Sequence, residues 1–331
     1  MWQFRKDPLS DRWVVCAEGR DERPNEYQGN GGRRASSRCP FCAGHEEDTP
    51  PKIVSYGRET PSSFGQDRDW LVRVVPNKYP AFHPGGDPAV RNQDLYAGAH
   101  PVGAQEVIVE SPRHVASLTQ LNDEEVVLVL RAYRDRMLAC RLSGHYRYVL
   151  VFKNVGPRAG ASLEHSHSQL IAMPMVPGEV AREVAAAQRL YHRHQACFFC
   201  RVIGDEQTGR QRWVAESHRF LAACPYASRM PYEMWVLPRA HAAHFEDQDD
   251  AELAELAIFL REMLGKLESV HGDLAYNYFI HTLPFDTVSS CHYHWHIEIL
   301  PRLTTTAGFE WGAGCYINPV PPEQAAAILR A

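Results

Sequence analysis

One order of features is written twice along this chain, and any fold it adopts must accommodate both copies. Cys39-Pro-Phe-Cys42 leads to Val74-Val-Pro-Asn-Lys-Tyr-Pro-Ala81, then to Glu106-Val-Ile-Val-Glu-Ser-Pro-Arg-His114, a helix-patterned stretch from Asn122 to about Arg141, the run Tyr148 to Asn154, and His165-Ser-His167. Cys197-Phe-Phe-Cys200 leads in the same way to Ala222-Ala-Cys-Pro-Tyr-Ala227, Tyr232-Glu-Met-Trp-Val-Leu-Pro-Arg-Ala-His241, a helical stretch from Asp249 to about Val270, Tyr276 to His281, and His294-Trp-His296. The step from His114 to His165 is 51 residues and that from His241 to His294 is 53, so order and length recur together. The β-branched and aromatic runs predict antiparallel strands. Val126, Val127, Leu130, Tyr133, Met137 and Leu138, spaced by three and four, predict the core face of the first helix. The expected architecture is therefore α+β, two tandem units spanning residues 1–175 and 176–331, each an antiparallel sheet with a packed helix. A linking helix is expected after Pro177, and surface loops at 27–38, 57–68 and 98–103.

Each copy also supplies a matched set of metal donors. Cys39, Cys42, His114 and His165 form one Cys2His2 group, and Cys197, Cys200, His241 and His294 form another at the same repeat positions. Two thiolates and two imidazoles suit tetrahedral zinc, and four protein ligands close the coordination sphere as in a structural site. His244, His281, His292, His296 and Glu183 compete as donors in the second copy; His241 takes priority because, like His114, it follows a Pro-Arg step. Such thiol pairs are expected to persist as metal ligands in a reducing compartment. The N-terminal segment has no apolar signal region and no run approaches the roughly 18 apolar residues of a membrane span, so a cytoplasmic protein without a membrane partner is expected. With 35 Lys+Arg against 40 Asp+Glu there is no basic field for long nucleic acid, whereas local Arg pairs can still hold a small anion.

The chemistry concentrates in Asn154 to Gln169. In His165-Ser-His167-Ser-Gln169 alternate residues of a strand face one side. If His165 turns to the metal, His167 remains as a nucleophile toward phosphorus once its other nitrogen is fixed by a hydrogen bond. Gln169 and Ser162 can then donate to the phosphoryl oxygens. A plain strand with a solvent face is the alternative for this segment taken alone, and the strand His292-Tyr-His294-Trp-His296-Ile-Glu298, with alternate His on one face, reads equally well as a histidine-triad signature and is a second candidate centre.

At these residues the chain resembles the galactose-1-phosphate uridylyltransferase family, a duplicated branch of the histidine-triad superfamily, along nearly its whole length. Asp7-Pro-Leu-Ser-Asp-Arg-Trp-Val-Val with Arg20-Asp-Glu-Arg23-Pro is similar to the family's N-terminal motif, Cys39-Pro-Phe-Cys42 to its zinc knuckle, Ser111-Pro-Arg-His114 to its third ligand, and His165-Ser-His167-Ser-Gln169 to its usual His-Pro-His-x-Gln. The resemblance implies two histidine-triad-like units, a homodimer, and transfer of a nucleotide between sugar 1-phosphates through a nucleotidyl-His167. It further implies phosphate binding by Arg20 and Arg23, nucleotide contacts from Asn77, Asn154, Gly160 and Ser162, and Tyr316 near the sugar phosphate, from the neighbouring subunit. In the family's main branch the second half holds iron on a Glu and three His, for which Glu183, His281, His294 and His296 match. The extra Cys197/Cys200 pair instead resembles a branch with a second zinc that includes plant-type ADP-glucose phosphorylases. Ile317 stands where the main branch has a galactose-binding Glu. The implied partners are a nucleoside diphosphate sugar and a sugar 1-phosphate, with UDP-glucose and galactose 1-phosphate as the family's pair. An ADP-sugar phosphorylase using inorganic phosphate, a histidine-triad hydrolase and a non-catalytic nucleotide-binding module are the alternatives.

Overall fold

The strand-forming runs of both copies pair into one sheet in the computed structural model, which describes residues 2–6, 13–17, 27–28, 32–33, 38–57, 70–93 and 95–331. The N-terminal strands β1 (Trp2–Lys6) and β2 (Trp13–Ala17) lie apart from it, in a four-stranded sheet with β7 (Arg91–Gln93) and β8 (Tyr96–Ala99); β3 (Tyr27–Gln28) and β4 (Gly32–Arg33) pair with each other. The main sheet runs, edge to edge, β5 (Val54–Gly57), β6 (Trp70–Pro76), β9 (Ala104–Val109), β11 (His167–Met173), β10 (Tyr148–Val155), β15 (Tyr276–His281), β16 (His296–Pro301), β14 (Met234–Pro238), β13 (Phe220–Ala223) and β12 (Trp213–Glu216). Five strands come from each copy in mirrored order, all pairings are antiparallel, and the seam is β10 against β15, where Phe152 faces Phe279 and Asn154 faces Asn277. This is the α+β, twofold-repeated architecture expected, realised as a continuous sheet.

The two long helices are α1 (Asp123–Leu142) and α4 (Asp250–His271). Both start at a capping box: Asn122 accepts from the Glu125 amide while the Glu125 carboxylate accepts from the Asn122 amide, each at 2.9 Å, and Asp249 and Glu252 repeat the exchange, satisfying amides the helix leaves unpaired. Val126, Val129, Leu130, Tyr133 and Met137 of α1 and Leu256, Leu260, Met263 and Leu264 of α4 share one apolar core with Val74, Ile108, Val151, Leu170, Tyr278, Ile280 and Ile297. The buried stripe of α1 is centred one residue away from the expected one. Val127 and Leu138 are only half-buried, and Val129 and Ala132 take the core positions, because a helix turning 100° per residue can hold only one apolar face to the sheet. The linking helix α2 (Gly178–His194) starts after Pro177 and is followed by α3 (Phe198–Gly209), α5 (Gly308–Ala313) and α6 (Pro322–Arg330). Of the expected loops, 98–103 begins inside β8, which carries Gly98 and Ala99, and 58–68 lies outside the described residues. Among the described residues no helix is long and apolar enough to cross a membrane.

Candidate active site

The first metal cluster forms where a turn meets the start of β11. Cys39 and Cys42 sit on the turn, His114 follows β9, and His165 precedes β11. His165 Nδ1 lies 3.4 Å from Cys39 Sγ and 3.5 Å from Cys42 Sγ, and His114 Nδ1 lies 3.4 Å from Cys42 Sγ. With zinc-type bond lengths the S-to-N edge of a tetrahedron is about 3.5 Å, so these separations fit a metal polyhedron. The outward nitrogens are spoken for: His165 Nε2 faces the Ser111 carbonyl at 2.8 Å and His114 Nε2 the Glu164 carboxylate at 3.2 Å, the partners that orient ligand imidazoles. Burial pushes the Cys39 thiol up to about 12 and His165 down to about 4; a cation would favour the thiolate, and the neutral imidazole is already the ligating form. The second cluster repeats this arrangement, with Cys200 Sγ 3.3 Å from His241 Nδ1 and 3.6 Å from His294 Nδ1, and His294 Nε2 on the Pro238 carbonyl at 2.7 Å. Here the cysteines span a helix start, Cys197 being the N-cap of α3. His244 stays apart beside Glu246.

Two residues beyond His165, the next outward position of the strand brings His167 to the wall of a cavity of about 410 Å³. Its Nδ1–H donates to the His165 carbonyl at 2.7 Å, so Nε2 carries the lone pair. Phe41, from between the two cysteines, packs on the ring at 5.1 Å. Gln169 shares the wall, and its Oε1 accepts from Gln105 Nε2 at 3.2 Å and Asn77 Nδ2 at 3.4 Å, which leaves its amide N–H groups as the donors toward the cavity. Ser162, Leu163, Val75, Val107, Asn77, Lys78, Tyr79 and Arg38 complete much of the lining. The lining thus combines apolar side chains (Phe41, Val75, Val107, Leu163) with polar ones (Asn77, Ser162, Gln169) and the His167 imidazole.

Comparison with known proteins bears on what this arrangement belongs to. The sequence model for "Galactose-1-phosphate uridyl transferase, N-terminal domain" matches residues 2–177. The chain belongs to the galactose-1-phosphate uridyl transferase family. Within it, the chain is 32% identical to an ADP-glucose phosphorylase of Arabidopsis thaliana over 99% of this chain and 92% of that one, and 27% identical to a galactose-1-phosphate uridylyltransferase of Thermotoga maritima over 100% and 98%. A crystal structure of the Arabidopsis enzyme with bound ADP-glucose superposes with a TM-score of 0.77 at 32% identity, covering 100% of this chain and 99% of that one. A structure described as a uridylyltransferase gives 0.80 at 28%, covering 99% and 97%.

The remaining expected residues are placed unevenly in this family member. Asn77, Ser162, His167 and Gln169 meet at the cavity. Asn154 and Gly160 are not among the residues that line it: Asn277 on β15 donates to the Asn154 amide oxygen at 2.7 Å and to the Ala159 carbonyl at 2.8 Å, bracing the turn. Gly160 closes that turn at φ 82°, in the left-handed region that glycine enters at little cost. Tyr316 is 46% exposed and does not line the cavity, and Arg20 and Arg23 lie outside the described residues. The second unit places His296 as the counterpart of His167, with Nδ1 on the His294 carbonyl at 3.1 Å. That imidazole, 1% exposed, is covered by Phe199 at 4.8 Å and Trp235 at 5.5 Å and faces Glu183 of α2. His294 joins the cysteines, while Glu183, His281 and His296 form a separate group that could hold a metal ion. Sequence reasoning missed Phe41, Leu163 and Arg38 as cavity walls; the first was visible inside the Cys-Pro-Phe-Cys motif.

Proposed function

We propose that the protein is a nucleotidylyltransferase acting on hexose 1-phosphates, with His167 as the covalent carrier. The observation that carries this is the His167 ring: its Nδ1–H is committed to the His165 carbonyl and its face lines the cavity beside Gln169 and Ser162. His167 Nε2 attacks the α-phosphorus of a nucleoside diphosphate sugar, and the bond to the sugar 1-phosphate breaks with its electron pair on the departing oxygen. A second sugar 1-phosphate then attacks the phosphorus, and the P–N pair returns to Nε2. Gln169 and Ser162 donate to the non-bridging oxygens as charge shifts, and Arg20 and Arg23 offset the phosphate charge. Uridylyl transfer between glucose and galactose 1-phosphates is the reading the family supports. Adenylyl transfer to inorganic phosphate is favoured instead by the second Cys2His2 group, by Ile317, and by likeness to the ADP-glucose phosphorylase. The walled-in His296 argues against a hydrolase working from the second strand.

Zinc is proposed for both Cys2His2 groups because paired thiolates select it over the harder ions. Its part is to tie the cysteine turns to the sheet, so unit 1–175 carries the chemistry and unit 176–331 supports it. The exposed Phe309, Trp311, Tyr316 and Ile317 make an apolar surface suited to a second copy of the chain, and thiolate sites of this kind fit a cytoplasmic setting. The deciding experiment is an intact mass spectrum after brief incubation with UDP-glucose and, separately, ADP-glucose. A nucleotidyl adduct with one donor, absent from His167→Ala, is expected and names the base. Binding of both donors without an adduct, in protein freed of phosphate, would overturn the covalent reading.

A further inference from the structure

The strand that presents His167 is held from behind by a buried charged network. Ser166 and Ser168 flank the nucleophile and, by strand alternation, point to the opposite face of the sheet. Both hydroxyls donate at 2.6 Å to one carboxylate, Glu110 at the end of β9: Ser166 to Oε2 and Ser168 to Oε1. Lys153 of β10 is salt-bridged to the same Oε2, donates to Ser166 Oγ at 2.8 Å, and reaches the His167 carbonyl at 3.4 Å. Tyr133 of α1 donates to Glu110 Oε1 at 2.6 Å and lies 2.7 Å from the hydroxyl of Tyr278 on β15. Glu110, Lys153, Ser166, Ser168, Tyr133 and Tyr278 are all at most 2% exposed. Four donors on two carboxylate oxygens leave the anion fully satisfied.

An apolar core would hold a strand in place at lower desolvation cost, since buried ion pairs commonly add little net stability over hydrophobic residues of similar volume. This pair also holds the side chains on both sides of one residue, through the Ser166 and Ser168 hydroxyls, and reaches that residue's own carbonyl. Ser166 carries the amide immediately after the His165 carbonyl that fixes the His167 ring, and Ser166 stands at the middle of a motif in which a proline would restrict the backbone unaided. We infer that Glu110 and Lys153 are positioning residues: through Ser166 and Ser168 they set the strand so that the His165 carbonyl holds His167 in the Nδ1–H tautomer, with Nε2 aimed into the cavity. The inference rests on the proposed role of His167.

The test compares Ser166→Ala, Ser168→Ala and the charge-free Glu110→Gln/Lys153→Met pair with wild type, using metal content and Tm as controls. Two readouts are taken at fixed pH: the His167 tautomer from 15N shifts of labelled histidine, and the single-turnover rate of His167 nucleotidylation beside the Kd of the donor. Expected are a shift of the His167 nitrogens toward mixed tautomers and a rate about 10- to 100-fold lower with Kd changed less than about threefold, the range a small misplacement of a reacting group costs. Variants that keep their metal, the wild-type tautomer and the wild-type rate would overturn the inference and leave the network as core. If wild type forms no adduct, the proposed chemistry falls and the nitrogen shifts alone decide the positioning role. Should the double variant not fold, the serine variants, which keep the ion pair, decide it.

Discussion

Gln169 shows how much of the site depends on single atoms. Its carbonyl oxygen is occupied by Gln105 and Asn77, so the amide nitrogen is the end presented to a phosphate. Gln169→Glu replaces that donor with a negative acceptor, and nucleotidylation should slow by about 100- to 1000-fold, the loss seen when one preorganised donor is removed; a rate within about threefold of wild type would dismiss this role. Side-chain alternation along His165-x-His167-x-Gln169 was legible from the residues, because a strand has a fixed period and three polar residues on one face need a reason. Glu110 and Lys153 were not. A charged residue within an apolar run reads as a solvent-facing position, and only the fold shows that these two meet behind β11, both fully buried. Asn77 was placed by resemblance, and its contact with Gln169 depends on strand register that spacing does not give.

Elements carry a second set of consequences. The ends of α1 and α4 were readable because Asn122 with Glu125 and Asp249 with Glu252 are reciprocal caps, whereas the exact core face of α1 required the sheet beneath it. Asn122→Ala should cost about 1 kcal/mol of stability, measured by urea unfolding, and should leave donor binding unchanged. On β16, burial works against the charge of Glu298, but His296 and Arg229 outweigh it and hold the carboxyl at about 2 against an ordinary 4.5. A depressed carboxylate stabilises the fold fully above the unfolded value and loses that contribution as pH falls through the folded one. Stability should therefore decline between about pH 4.5 and about pH 2 more steeply in wild type than in Glu298→Gln. Parallel unfolding curves for the two proteins across that window would remove Glu298 from the acid response.

At the scale of the whole molecule, the repeat was visible in the chain, but its joining was not. Residues 1–175 and 176–331 read as two units, each with its own metal donors, and nothing in the spacing says that β10 and β15 will zip them into one sheet above a shared core. Because they do, urea unfolding followed by tryptophan fluorescence and by far-ultraviolet circular dichroism should give one coincident transition. Stripping metal with a strong chelator should lower its midpoint without splitting it, and two separated transitions would contradict a shared core. The seam sets Phe152 against Phe279 and Asn154 against Asn277, like against like. A strand edge that matches its own counterpart is the contact surface of a symmetric pair. Joining the pair in one chain releases its members from having to be identical: each imidazole carries a Phe from its own cysteine motif, Phe41 or Phe199, but one half keeps an open pocket beside it while the other fills that space with Trp235 and Glu183. The division of labour between a reactive half and a closed half is then a freedom conferred by covalent linkage, which a dimer of identical subunits does not have.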